Sequence, residues 1–359
     1  MRWRYFLEEK LLKLAFDYIY SISSKKRYNI QSMAILNYFN IKENQIQHNK
    51  DFYLGDYKFF KSEMEPLKVK DFTYKNDYFT PREMYLIPPS YYLYYTFQVF
   101  KLCYEFYGKS VINFSTEHNK IFYSGELDLS NNKKSNINKK SDFSYSYNSF
   151  QDRRKDFDGN RVLVADVQDF FKGIKTEELI DKIKIMNGVV QSDIVKYVIE
   201  NLSSLFADLS FFNLPQLNFS IASSILSQLY LGDFSNKMES ILSEYGCWAV
   251  RFVDDMYIQL PNTLTKKEVN AMLDKLSFHL WKEGLNFNTS KTEILGIDEY
   301  KKFSETVIED YDDIPNVKGY KKSKFVSQKI IADKVGELIE SDGVLLIEFI
   351  SKLNALADD

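Results

Sequence analysis

The sequence predicts an α+β fold: an antiparallel sheet packed on helices, preceded by a mostly helical lead-in and followed by a short helical tail. Three observations predict it. Apolar residues recur at spacings of three and four over 6–19, 185–207, 221–238 and 269–280, the mark of amphipathic helices. Short β-branched runs at 161–167 and 248–260 stand between these helices. The order strand, helices, hairpin, helix, strand then suits antiparallel pairing.

In chain order, Phe6, Leu7, Leu11, Leu14, Ala15, Tyr18 and Ile19 share one helical face. Residues 42–80 are polar and aromatic without a clear period, so no element is assigned there. Thr80 to Ile87 reads as a short strand ended by Pro88-Pro89, and a helix follows from Tyr91 to Tyr107, stopped by Gly108. The polar run 130–142, continued by Arg153, Arg154 and Lys155, reads as a loop, either a solvated insertion or a phosphate-contacting arm. Arg161–Val167 is a strand entering Asp166, and Thr176 caps the next helix. Two extended arms around Asp254-Asp255 make a hairpin. Thr265 and Glu268 form a capping box, the helix it opens buries Val269, Met272, Leu273, Leu276 and Leu280, and Gly284 ends it. Leu285–Asn288 is a short strand, closed by Ser290-Lys291-Thr292.

Composition bounds the function classes. With 359 residues, 45% hydrophobic and a net charge of -3, the chain can bury a core and is not disordered. No run of about 18 apolar residues exists, and no secretory signal pattern opens the sequence, so no membrane association is expected. Two distant cysteines and three histidines in no zinc spacing argue against soft-metal chemistry and fit a reducing cytoplasm. Fifty carboxylates against 47 Lys plus Arg count against a large nucleic-acid footprint. The 26 Tyr and 29 Phe serve cores, interfaces and base-stacking platforms alike.

The chemistry is concentrated in carboxylates. Asp166 ends one strand and Asp254-Asp255 tip a hairpin 88 residues later. Adjacent antiparallel strands can bring them together, and clustered carboxylates without His or Cys favour Mg²⁺ or Mn²⁺. Each piece alone is weak, since a single acid after a strand is commonly a solvated cap and Asp-Asp suits a turn.

The four-part order carries more. Ala165-Asp166-Val167-Gln168-Asp169-Phe170-Phe171 resembles the first palm motif of reverse transcriptases, and Leu214-Pro215-Gln216 with the helix ending at Leu231 resembles the second. Phe252-Val253-Asp254-Asp255 resembles the third, and Gly284 to Thr292 the fourth, a Leu-Asn pair shortly before Lys-Thr. The branch it is most similar to is the bacterial abortive-infection type, AbiA and AbiK, related to group II intron and retron enzymes.

That resemblance implies right-hand fingers and palm over 81–300, a helical N-terminal extension over 1–80, and the start of a thumb or C-terminal helical region over 301–359. It implies a phage-defence nucleotidyltransferase that adds dNTPs without a conventional template. Its DNA product would be attached through a tyrosine, and RNA and a second copy of the chain would be further partners. Asp166, Asp254 and the Val167 carbonyl become metal ligands with Asp255 a supporting acid, and Mg²⁺ or Mn²⁺ the cofactor. Phe171 takes the position that excludes a ribose 2′-hydroxyl, with Phe170 or Phe171 alternatively a core aromatic. Gln216 lines the nucleotide pocket, Lys291 protonates pyrophosphate, and Arg82 meets the triphosphate. Tyrosines of the first 80 residues and Tyr145–Tyr147 are the priming candidates.

Two departures stand out. Leu217 occupies a position where the family usually has Gly, and a leucine side chain there would crowd a templating base. The sequence also ends inside an amphipathic pattern where the relatives continue. The rival readings are a templated RNA-directed DNA polymerase, a non-catalytic palm scaffold or RNA-binding protein and, more distantly, a metal-dependent nuclease.

Overall fold

The computed structural model describes residues 2–27, 29–74, 81–130 and 139–306. The chain divides into two compact units, Met1–Ile308 and Glu309–Asp359. The expected thumb or tail helix, beyond residue 306, lies outside the described residues.

The first unit is α+β. It opens with α1 (Arg2–Lys25), α2 (Ile30–Asn40), α3 (Ile46–Leu54) and α4 (Tyr57–Glu63), followed by a hairpin of β1 (Val69–Tyr74) and β2 (Pro81–Leu86). Helix α5 (Pro89–Tyr107) comes next, then β3 (Asn119–Phe122), α6 (Phe143–Lys155), β4 (Arg161–Asp166) and the single turn α7 (Phe170–Gly173). Four helices follow: α8 (Thr176–Val190), α9 (Asp193–Asp208), α10 (Ile221–Tyr230) and α11 (Gly232–Tyr245). The unit closes with β5 (Trp248–Phe252), β6 (Asp255–Leu260), α12 (Lys266–Lys282), β7 (Glu293–Leu295) and α13 (Ile297–Thr306).

The five-stranded sheet runs β3-β5-β6-β4-β7. Its β4, β5, β6 and β7 pair antiparallel, as expected, but β3 joins the edge parallel to β5, so the sheet is mixed. Nothing in Asn119–Phe122, four residues without clear alternation, marks that strand in advance.

Helix α5 is the central support. Fourteen consecutive residues, Ser90 to Cys103, are buried, so it is surrounded rather than laid on a surface. Pro89 sits in its first turn, where a missing N–H costs nothing. Tyr92, Tyr95 and Gln31 pin it to its neighbours: Tyr92 donates to the Asn218 carbonyl at 2.8 Å, Tyr95 shares a 3.1 Å hydrogen bond with Ser223, and Gln31 bonds both backbone groups of Ile87. Much of the tyrosine load is thus core material, with Tyr91, Tyr92, Tyr94 and Tyr95 all at most 1% exposed.

Several sequence expectations change. The 143–155 stretch, to which the sequence assigns no element, is helix α6, opened by Asp142 accepting from Ser144. Phe143, Tyr147 and Phe150 pack in a row along one of its faces, and Phe150 is buried. Residues 131–138 of the polar run lie outside the described residues. Thr176 is not a cap: Lys175 holds that position and the Thr176 hydroxyl donates to the Phe211 carbonyl at 2.9 Å. The 185–207 run is broken at Gln191, whose φ is 55°, with Ser192 capping α9, and 221–238 is two helices joined at Leu231. Leu285–Asn288 forms only a bridge, Val167 to Phe287, and the edge strand is Glu293–Leu295. The strand before Pro88, the 248–260 hairpin and the Thr265–Glu268 capping box stand where the sequence put them.

Candidate active site

The hairpin between β5 and β6 turns on two residues, Val253 and Asp254, with Phe252 and Asp255 as the last cross-strand pair. Val253 has φ 54°, a left-handed conformation that a β-branched residue adopts only under strain of about 1–3 kcal/mol. Tight hairpins of this kind usually place Gly there. The strained turn is held from two sides: Val253 N–H donates to the Phe122 carbonyl at 3.3 Å, and the Asp254 carbonyl accepts from Val167 N–H at 3.2 Å.

On the next strand Asp166 is the direct partner of Asp255. Paired residues on adjacent antiparallel strands share a face, so both carboxylates leave the sheet on the same side. Asp166 is only 8% exposed. Its Oδ2 accepts from Asn288 Nδ2 at 3.1 Å and lies 3.2 Å from Lys291 Nζ, while its backbone carbonyl accepts from Asn288 N–H at 2.7 Å. The loop after α12 therefore reaches the sheet end and delivers both an amide and an ammonium to one carboxylate oxygen.

Asp255 feels the crowding. Burial pushes its carboxyl from 3.8 up to about 7, and the neighbouring Asp254 and Asp166 carboxylates push the same way, against opposing pulls from Lys291 and Arg154. Arg154 lies wholly buried on α6, its guanidinium 4.6 Å above the Tyr257 ring and 5.4 Å from that of Phe303. It is not part of a phosphate-contacting arm, because it faces inward. Aromatic faces and a nearby carboxylate offset part of the cost of burying such a charge.

The second group of expected residues meets in a different place. Phe171 and Gln216, 45 residues apart, line one open cleft of about 420 Å³, counting solvent at its mouth, together with Glu83, Tyr85, Lys172 and Phe212. Phe170 is the core aromatic of its pair at 3% exposure; Phe171 packs edge-on against it at 5.3 Å and stays half-buried. Glu83 ties the cleft wall, 2.9 Å from Lys70 and 3.0 Å from Lys172, and hydrogen bonds from Lys70, Lys172 and Tyr85 hold its carboxyl down at about 2. Arg82 falls on β2 opposite Thr73, and its side chain lies outside the described residues. The turn from Asp166 to Phe171 joins the cleft to the aspartates; within it Asp169 adopts a left-handed φ of 46°.

Leu217 differs from expectation. Its side chain is 5% exposed and part of the core, and its backbone bridges Tyr85, so no exposed leucine stands over the cleft. The crowding suggested by sequence has no source in this conformation.

Asp166, Asp254, Asp255 and the Val167 carbonyl make an all-oxygen donor set, which fits Mg²⁺ or Mn²⁺ in kind. The three carboxylates are not drawn to within 4.8 Å of one another as a ready cage would be; the one group that is, among the described residues, lies elsewhere. Sequence reasoning missed Asn288 and Arg154. Asn288 stands two residues after the Leu285-Asn286 pair, and its position three residues before Lys291 was the available signal; Arg154 was hidden by its place in a basic run.

No protein-family model matches the chain, and no curated protein matches it. Among the described residues no helix is long and apolar enough to cross a membrane. Cys103 and Cys247 are both free and buried.

Proposed function

We propose that this chain is a metal-dependent nucleotidyltransferase of the reverse-transcriptase type, adding dNTPs in bacterial defence against phage. The five-stranded sheet would be its palm, and the β1–β2 hairpin with the surrounding helices its fingers. The observation that carries the reading is the pairing of Asp166 with Asp255 beside the Asp254 turn, with Lys291 on Asp166. These residues come from three of the four motifs that resemble the family.

Divalent cations held by Asp166, Asp254, Asp255 and the Val167 carbonyl would supply charge stabilisation for phosphoryl transfer. The chain's own groups do the rest. Asn288 and Lys291 fix the Asp166 carboxylate, and Lys291, its side chain 53% exposed, would give a proton to a departing phosphate. Phe171 offers an aromatic wall against a sugar hydroxyl, and Gln216 an amide across the same cleft. If a tyrosine primes synthesis, Tyr147 is a poor candidate at 8% exposure, whereas Tyr5, at 42%, is open with its hydroxyl bonded to Asp51.

Templated copying of RNA is the second reading, and the burial of Leu217 favours keeping it, because the steric argument against a template base loses its basis. The test incubates the purified chain with labelled dNTPs and Mg²⁺, with and without a homopolymer template, followed by denaturing electrophoresis and product sequencing. Label that remains with the protein and does not follow the template supports untemplated, protein-primed synthesis. A strictly complementary product supports the second reading. No incorporation under any condition removes both.

A further inference from the structure

The opposite end of the sheet carries a second cluster. Strand β3 pairs with β5 from Asn119–Ala249 to Phe122–Phe252, so residues 117 and 118 sit where β5 begins, away from the aspartate turn. There Glu117, His118 and Glu239 each offer one ligand atom, an imidazole nitrogen or a carboxylate oxygen, and these atoms all lie within 4.8 Å of one another. His118 Nδ1 is 2.7 Å from Glu239 Oε1. The donors are also held from outside. The His118 ring packs against Trp248 with centroids 4.7 Å apart, and its backbone carbonyl accepts from Ala249 N–H at 2.7 Å. Glu239, on α11, accepts from His118 N–H at 2.9 Å and from the Thr116 hydroxyl. Burial pushes the Glu239 carboxyl up, but hydrogen bonds from Thr116 and His118 outweigh it and hold the group below its usual range, so it is anionic at neutral pH.

We propose that Glu117, His118 and Glu239 bind a divalent cation of the zinc type, which clamps the parallel edge strand β3 to α11. One imidazole nitrogen and two carboxylate oxygens form the three-ligand set that Zn²⁺ accepts with water in the fourth position. Imidazole in the set favours Zn²⁺ over the hard Mg²⁺. Oriented donors of this kind match the way outer partners fix metal ligands. The plainer arrangement is a His118–Glu239 hydrogen bond that staples strand to helix with no ion.

The two differ in a zinc titration. The full chain carrying Asp254→Asn, which weakens the aspartate end as a competing site, is titrated with Zn²⁺ by calorimetry while Tm is followed. The clamp predicts one saturable Zn²⁺ equivalent and a rise in Tm. It also predicts binding weaker by about tenfold or more in His118→Ala and Glu239→Gln. Glu117→Gln changes an exposed side chain, so it should keep the metal-free Tm and still lose affinity, which guards against variants that merely fold poorly. Absence of saturable binding, or affinity in the three variants unchanged from that of the parent chain, would overturn the proposal. Because this readout uses no nucleotide, it stands or falls apart from the proposed polymerase activity.

Discussion

The two ends of the five-stranded sheet hold clusters of opposite electrostatic character. At the β5–β6 turn Asp166, Asp254 and Asp255 crowd one another, and Lys291 and Arg154 compensate them incompletely, as the upward push on Asp255 records. At the start of β3, Glu239 is matched by hydrogen-bond donors and held down. A mixed cluster of donors and acceptors can serve the fold by itself. Like charges left together oppose folding and persist only where something else, here the proposed cations and nucleotide phosphates, gives them a use. A stretched Val253 at the same turn adds a second unfavourable feature to that end and to no residue of the other.

The difference can be broken in four ways. Asp254→Asn should lower nucleotide incorporation by roughly two or more orders of magnitude while leaving the far-UV spectrum intact, because a ligand of the proposed cations, which would meet the developing phosphoryl charge, is lost. Equal incorporation by the variant would detach the aspartates from any reaction. The second test is thermodynamic and needs no substrate. With its folded carboxyl at about 7 against 3.8, Asp255 costs nothing below about pH 4, where it is protonated in both states. As pH rises from there through 7 the unfolded chain ionises first, so stability is lost, and above 7 the loss is complete. Asp255→Asn removes this penalty: in chelator, urea unfolding should find the variant more stable at pH 8 by on the order of a few kcal/mol and unchanged at pH 4. A variant equally or less stable at pH 8 contradicts the crowding.

A smaller effect is expected in the cleft. Phe171→Ala should raise the use of ribonucleotides relative to deoxynucleotides by about tenfold, roughly 1.4 kcal/mol of discrimination. Unchanged sugar preference in single-nucleotide assays would remove Phe171 from that role. The smallest effect belongs to neither end. Thr265→Ala disrupts the α12 capping box, in which Thr265 and Glu268 bond reciprocally, and should cost about 1 kcal/mol in urea unfolding with no change in incorporation. A loss of incorporation as well would tie α12 to the reaction through the loop that carries Lys291.

Local signals made the aspartate end readable from sequence. Apolar runs on both sides of Asp254-Asp255 define a hairpin whatever surrounds them, and the Thr265 capping box is complete within four residues. The far end was hidden because its residues depend on pairing across distance. His118 and Glu239 are 121 residues apart, so no His or Cys spacing marks them. Strand β3 is short and earns its place only by lying parallel along β5. Helix α6 shows no clear sign in the sequence because serines and asparagine separate its aromatic face, and Arg154, which looks solvent-bound in a basic run, buries its stem and head among rings. Leu217 is the opposite case: its side chain turns inward, which only the packing reveals.

The most direct measurement is Mn²⁺ binding by electron paramagnetic resonance with dNTP present, in a His118→Ala background that leaves the aspartate end as the site under study. Bound Mn²⁺ that disappears in both Asp166→Asn and Asp254→Asn is the predicted result. Binding that survives both substitutions, or a wild-type aspartate end that takes up no Mn²⁺, would contradict the assignment of these three carboxylates to a nucleotide-joining site.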